Sequence, residues 1–190
     1  MIQILLTLFI VLFAPIPWII IAIHILIKSR RWSLITSKLL LILVSLSIWI
    51  SLGYWLFNKN EFLFVNRYDS TALQIIGVIV LLGATAIEFL THKALSTRRI
   101  FGSSEFKQSK DKLITQGIYK YARHPRYIEH PMWALGLGLT FGYSSLLWFF
   151  IYLLIGFILV AYFEEQELIK RYGGEYLKYK KKTPAFFIGG

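Results

Sequence analysis

Cysteine is absent from this chain, which excludes disulfides, thiolate nucleophiles and cysteine-ligated metal sites. Acidic side chains are scarce as well: ten Asp and Glu stand against twenty-one Lys and Arg, for a net charge of +11. In a soluble protein that surplus would suggest nucleic acid. Here 56% of residues are hydrophobic and 17% aromatic, and the mean hydropathy is +0.59, well above a soluble domain's usual apolar share. Once the apolar runs are set aside no soluble basic module remains, so nucleic-acid binding is not expected. The positive charge is instead assigned to cytoplasmic loops and to anionic lipid. A length of 190 residues suits a single membrane domain, residues 1–190.

The apolar runs define the expected architecture: an all-α, polytopic integral membrane protein with five transmembrane helices. The first span, residues 2–27, is long enough to cross a bilayer and carries Pro15 and Pro17, which predict a kink. With no basic n-region or cleavage site before it, it reads as a retained span rather than a signal peptide. His24, near its end, is assigned a structural or interfacial role. Lys28, Arg30, Arg31 and Lys38 follow, and then a second span, residues 39–57, with Trp49, Tyr54 and Trp55 toward its far end. The loop 58–70 is balanced, Lys59 and Arg67 against Glu61 and Asp69. A third span, residues 71–92, ends with Glu88 and His92 on one helix face, a pair that could line an acceptor path or brace the span. Residues 93–128 are strongly basic. Residues 131–163, broken only at Gly142-Tyr143-Ser144-Ser145, are too long for one span and fit a hairpin of two, 131–142 and 145–163. A cytoplasmic helix is expected from Glu164 to about Lys182, punctuated by Gly173-Gly174. Positive charge lies on alternate loops, which puts the N-terminus outside and the C-terminus in the cytoplasm.

One stretch stands apart from these runs. Residues 117–131 hold two of the four histidines, with Arg123, Arg126, three tyrosines and two prolines. Proline biases its predecessor away from the helical region, so His124 and His130 are each expected at a bend. Pro131 is expected in the first turn of a new helix. The topology puts this loop on the same side as the C-terminal helix.

The run Leu113-Ile114-Thr115-Gln116-Gly117-Ile118-Tyr119, followed by Arg123-His124-Pro125-Arg126-Tyr127, resembles the signature of the isoprenylcysteine carboxyl methyltransferase and phospholipid methyltransferase superfamily. The second half agrees: Glu164-Glu165, Leu168-Ile169, Tyr172-Gly173, Glu175-Tyr176 and Tyr179-Lys180-Lys181 follow an apolar hairpin in that family's order. The resemblance covers about residues 95–188. It implies an integral membrane methyltransferase that uses S-adenosylmethionine and takes a membrane lipid or lipidated small substrate, with no metal needed. It implies a donor site in residues 113–130 and 164–188, formed by Tyr119, Arg123, His124, Pro125, Tyr127, Glu164, Glu165 and Tyr176. On that reading the acidic pair binds the donor's ammonium or ribose hydroxyls. Arg123 and His124 meet its carboxylate or fix the loop, and the tyrosines offer flat faces to adenine or sulfonium. Structural readings stand beside these. The acidic pair could favour a helix N-terminus, His124 could be a loop residue with a satisfied ring, and the tyrosines could form an interfacial belt. Lys178, Lys180, Lys181 and Lys182 are assigned to anionic headgroups.

Two positions depart from the family pattern. Glu129 stands where a glycine is usual, and Val160 where the prenylcysteine enzymes carry an arginine one turn before the acidic pair. Arg126, Arg171 or Lys182 could supply the missing partner for a carboxylate acceptor. Glu129 could instead attract an amine-bearing acceptor and remove its proton. Glu129, Arg126 and Arg171 are therefore the candidate catalytic residues. Carboxyl methylation of an isoprenylcysteine-type amphiphile ranks ahead of N-methylation of a phospholipid-type amine. A non-catalytic membrane protein keeping the fold is the rival from another class. A membrane reductase is a further alternative, unsupported by any Gly-x-Gly-x-x-Gly run. The membrane is the plasma membrane in a prokaryote or the endoplasmic reticulum in a eukaryote.

Overall fold

A computed structural model describes residues 1–28, 35–58, 63–95 and 112–187, whose regular structure is helical apart from one isolated bridge. The helices are α1 (Ile2–Phe13), α2 (Ile16–Lys28), α3 (Ile35–Asn58), α4 (Thr71–Ala94), α5 (Pro125–Phe141), α6 (Ser144–Tyr172) and α7 (Gly174–Lys182). Of the loop charges noted above, Arg30, Arg31, Lys59 and Glu61 lie outside the described residues, as do the charges between residues 96 and 111 of the basic stretch.

Among the described residues three stretches are long and apolar enough to cross a membrane: Ile2–His24, Thr71–Ala94 and Ser144–Tyr172. The first joins α1 and α2 across the break at Ala14 and Pro15, where the expected kink occurs. At 17 residues α5 is roughly 26 Å long, a turn short of a hydrocarbon core of about 30 Å. The sides of α4 and α6 that meet no other helix are apolar. Ile75, Ile79, Leu82 and Phe89 are exposed on α4, as are Trp148, Ile151, Ile155, Ile158 and Tyr162 on α6. Stripes repeating every three or four residues on that scale are tolerable only against lipid or a partner.

Small residues set the distance between helices. A Cβ built on Gly77 of α4 would fall 2.6 Å from the Thr140 backbone nitrogen and 2.9 Å from the Gly136 carbonyl of α5. Ala84, also on α4, is completely buried. Such close approach is how helices gain dispersion energy where no hydrophobic effect separates them from lipid. Gly156 of α6 plays the same part against Pro17 of α2, with a built Cβ 2.8 Å from the proline Cβ.

The hairpin turn falls where expected. Gly142 has φ +74° and caps α5, and a Cβ there would strike the Tyr68 carbonyl oxygen. The Tyr68 N–H donates to the Gly142 carbonyl at 2.9 Å, and its hydroxyl donates to the Gly138 carbonyl at 2.8 Å. Residues 63–70 therefore close one end of the molecule.

Three local expectations are corrected at the other end. First, α5 begins at Pro125, not Pro131. Pro125 occupies the first helical position, where its preset φ helps and its missing N–H is no loss. Second, His130 is inside α5 rather than at a bend, its Nδ1 3.1 Å from the Arg126 carbonyl oxygen. Only His124 is at a turn, with φ −126° and ψ 55°. Third, no helix starts at Glu164. α6 runs unbroken to Tyr172 and stops at Gly173, φ +54°, so the acidic pair lies in the later turns of α6 and does not begin a helix of its own. At 29 residues, α6 is about 44 Å long and outruns the hydrocarbon core. Its last turns carry the pair beyond the apolar stripe.

Candidate active site

The N-terminal turn of α5, the last turns of α6 and the returning α7 meet at one end of the bundle. The Arg123 guanidinium donates from Nε to Glu165 Oε1 at 2.9 Å and from Nη2 to the same oxygen. Its Nη1 reaches the carbonyl oxygens of Lys180 and Thr183. Lys180 donates its ammonium to Glu165 Oε2. Glu165 thus holds two full cations on an oxygen each, and that carboxylate has little capacity left for a ligand.

His124 joins the two carboxylates. Its Nδ1 lies 3.0 Å from Glu164 Oε2 and its Nε2 3.3 Å from Glu165 Oε1. The ring is buried, which alone would lower its pKa, but the hydrogen bonds to Glu164 and Glu165 outweigh burial and raise it to about 8. His124 is therefore largely imidazolium at neutral pH. Its ring stacks on Tyr127, centroids 5.6 Å apart and planes 9° apart, and Tyr127 stacks on Phe157. The Tyr127 side chain also hydrogen-bonds Glu164. The loop backbone is tied down separately, with the Arg123 and His124 N–H groups donating to the Pro184 and Ala185 carbonyls, each at 2.9 Å. Tyr179 donates its hydroxyl to the Tyr119 carbonyl.

Beside this web is a cavity of about 160 Å³ whose polar wall includes Tyr119, Arg123, His124, Arg126, Tyr127, Glu164, Arg171 and Tyr176. Burial raises the phenol pKa values of Tyr119 and Tyr176, and pushes Tyr179 up to about 12, so all three hydroxyls stay protonated. Eight of the eleven residues expected at the site therefore share one wall. The other three do not line the cavity. Pro125 lies beneath it as the first residue of α5, and Glu165 stands behind it in the ion-pair web. Glu129 is buried in α5, with Oε1 3.4 Å from His130 Nδ1 and Oε2 enclosed by protein. Glu88 and His92 sit 4.0 Å apart, both substantially exposed, and are also not part of the wall.

Leu95, Leu113, Ile114, Leu168, Tyr172 and Tyr179 complete the lining; all but Leu95 fall within the expected donor region, 113–130 and 164–188, though none of them is singled out as a site residue by the sequence. Tyr179 is three residues from Tyr176, a spacing that puts both on one side of α7. The carbonyls of Lys180, Thr183, Pro184 and Ala185 leave no trace in sequence, because any residue supplies a backbone acceptor. His24 was read as structural and is placed accordingly, its Nδ1 3.1 Å from Glu167 Oε1, joining α2 to the extension of α6.

The wall suits S-adenosylmethionine in kind. One carboxylate, that of Glu164, lines the cavity with three guanidiniums, several aromatic faces and aliphatic side chains, and the donor carries a carboxylate, cationic centres and a flat ring. The cavity is below the roughly 300 Å³ at which small-molecule sites begin.

Comparison with known proteins finds a family model and three curated relatives. The family model described as phospholipid methyltransferase matches residues 73–175. Protein-S-isoprenylcysteine O-methyltransferase of Schizosaccharomyces pombe is 40% identical over 81 residues, which are 42% of this chain and 34% of the relative. The enzyme of that name from Xenopus laevis is 26% identical over 149 residues, 75% of this chain and 48% of the relative. The one from Saccharomyces cerevisiae is 35% identical over 78 residues, 40% and 33% of the two chains. The chain thus spans between a third and about half the length of the curated relatives it matches. No solved structure matches it. The matched region runs from α4 through the hairpin to the acidic pair and the start of α7, so the chain belongs to the phospholipid methyltransferase family of S-adenosylmethionine-dependent membrane methyltransferases.

Proposed function

We propose that this chain is an integral membrane methyltransferase that moves a methyl group from S-adenosylmethionine to a lipid-like acceptor. Carboxyl methylation of an isoprenylcysteine-type amphiphile is its first candidate reaction. The observation that carries the reading is the division of labour in the acidic pair. Glu165 is consumed by Arg123 and Lys180, while Glu164, held by His124, faces a cavity that Arg126 and Arg171 also line. The three curated relatives the chain is similar to carry the isoprenylcysteine name.

The donor, when bound, supplies an electrophilic methyl on a sulfonium. The chain's own residues bind and orient. Glu164 takes an ammonium or ribose hydroxyls, the tyrosines take flat faces, and Arg126 and Arg171 take carboxylates, the acceptor's included. Placing nucleophile and methyl in line supplies much of the acceleration in such a transfer. The reading includes five spans, an outside N-terminus and a cytoplasmic C-terminus, which gives the polar donor access from the cytosol and the acceptor access from the bilayer.

Glu129 favours a second reading, N-methylation of a phospholipid-type amine. Its carboxyl is buried one helical turn from Arg126, and burial above all, with Glu88, raises its pKa to about 8; it is mostly protonated at neutral pH and, once deprotonated, has the basicity to take a proton from an amine.

The test is calorimetric titration of detergent-purified protein with S-adenosylhomocysteine, wild type against His124→Ala. Saturable binding to wild type, lost in the variant, is expected. Folded wild type that binds nothing would overturn the reading. Methyl transfer to an S-prenylcysteine amphiphile, compared with transfer to phosphatidylethanolamine, then separates the two acceptors.

A further inference from the structure

The returning helix α7 has two faces. Tyr176, Tyr179 and, just beyond the helix, Thr183 are buried, a spacing of three and four residues that marks one side. Glu175, Leu177, Lys178, Lys181 and Lys182 are exposed on the other, three cations to one anion. An apolar side chain among lysines is the composition of a helix that lies on an anionic membrane surface.

The depth of this face follows from how α7 folds back. The backbone turns at Gly173, and Lys180 then reaches Glu165 Oε2. Glu165 is three residues, about 4.5 Å of helix rise, past Tyr162, the last exposed aromatic of the α6 stripe. The C-terminal turn of α7 is thereby brought level with the edge of the apolar belt. That lies within the Debye length of about 8 Å over which a charged leaflet acts at physiological salt.

The buried face of the same helix is built into the cavity. Tyr176 and Tyr179 line it, Lys180 fixes Glu165, and Tyr179 fixes the Tyr119 carbonyl. The carbonyls of Lys180 and Thr183 hold Arg123. A force that seats α7 therefore also seats the cavity wall.

We propose that the Leu177–Lys178–Lys181–Lys182 face of α7 docks on an anionic lipid surface and that this docking tightens the donor cavity. By linkage, the donor and the anionic surface raise one another's affinity by the same factor. The donor arm of this inference rests on the proposed function; the docking arm does not.

The experiment uses the full chain in nanodiscs of phosphatidylcholine alone or with about a third phosphatidylglycerol. Amide hydrogen exchange across residues 174–187 is expected to be about tenfold slower in the anionic discs. The difference should vanish in the Lys178→Gln/Lys181→Gln variant, and in wild type at high salt. S-adenosylhomocysteine should bind wild type about tenfold more tightly in the anionic discs, and the variant equally in both. Equal exchange in the two lipids overturns the docking and leaves the face to some other acidic partner. Lipid-dependent exchange with lipid-independent affinity overturns the coupling. Lipid-dependent exchange with no binding in either lipid supports the docking and defeats the methyltransferase reading instead.

Discussion

Arg123 and Glu165, forty-two positions apart in sequence, form an ion pair with side chains only 8% and 11% exposed. That pair closes the N-terminal turn of α5 onto α6, and the tail completes it through Lys180 and Thr183. Removing Glu165 leaves the Arg123 charge buried without its carboxylate, which costs about 3 kcal/mol, whereas removing Arg123 leaves Glu165 with Lys180 and His124 and costs less. Glu165→Gln should lower the unfolding midpoint in detergent far more than Glu175→Gln, where the carboxylate is exposed. Arg123→Ala should lower it less than Glu165→Gln. Equal effects at the two glutamates would show that the pair contributes no stability.

His124 makes stability depend on pH in a predictable direction. Its pKa is raised from 6.5 to about 8 by its hydrogen bonds to Glu164 and Glu165, against the effect of burial. A raised folded-state pKa means a contribution that is complete below pH 6.5 and lost as pH rises through about 8. At 1.36 kcal/mol per unit the contribution is about 2 kcal/mol. Wild type should therefore lose about that much between pH 6 and 9 relative to His124→Gln, measured by denaturant unfolding. Parallel curves for the two proteins would contradict it.

The α4–α5 contact permits no side chain at Gly77, where a Cβ would overlap the Thr140 backbone. Gly77→Val is expected to cost about 1–3 kcal/mol through overpacking, and to broaden the size-exclusion profile in detergent. Gly174→Ala is the control, since a Cβ there meets nothing within 4 Å. It should behave as wild type.

Arg126 and Arg171 both line the cavity. If each meets a ligand carboxylate, Arg126→Ala and Arg171→Ala should weaken S-adenosylhomocysteine binding, or acceptor KM, about tenfold, equivalent to about 1.4 kcal/mol. Which constant moves identifies the carboxylate each arginine serves. Neither moving would remove both residues from the site.

Glu129 is buried in α5 and does not line the cavity. Glu129→Gln should leave the S-adenosylhomocysteine Kd unchanged while altering acceptor KM or the preference between carboxylate and amine acceptors. A changed donor affinity with unchanged acceptor preference would refute that assignment.

Much of this protein was legible along the chain, because its determinants are local. Apolar runs compel helices in a membrane, where every backbone group must be satisfied internally. Gly142 marked the hairpin turn through a conformation that disfavours a side chain. Pro125 marked the bend at His124, and the Arg-His-Pro and Glu-Glu motifs marked which ends meet. What spacing did not decide is which neighbour each side chain meets. Pro131 and His130 looked like a second bend but belong to a helix that Pro125 had already started. Glu164 and Glu165 are adjacent in sequence yet roughly 100° apart around the helix axis. One therefore turns to the cavity, while the other turns to Arg123 and Lys180, brought there by α5 and by the bend at Gly173. Backbone carbonyls from the tail finish the site, and a carbonyl has no residue identity to read. Local chemistry chose the helices and the reactive residue types; long-range packing assigned each carboxylate its partner.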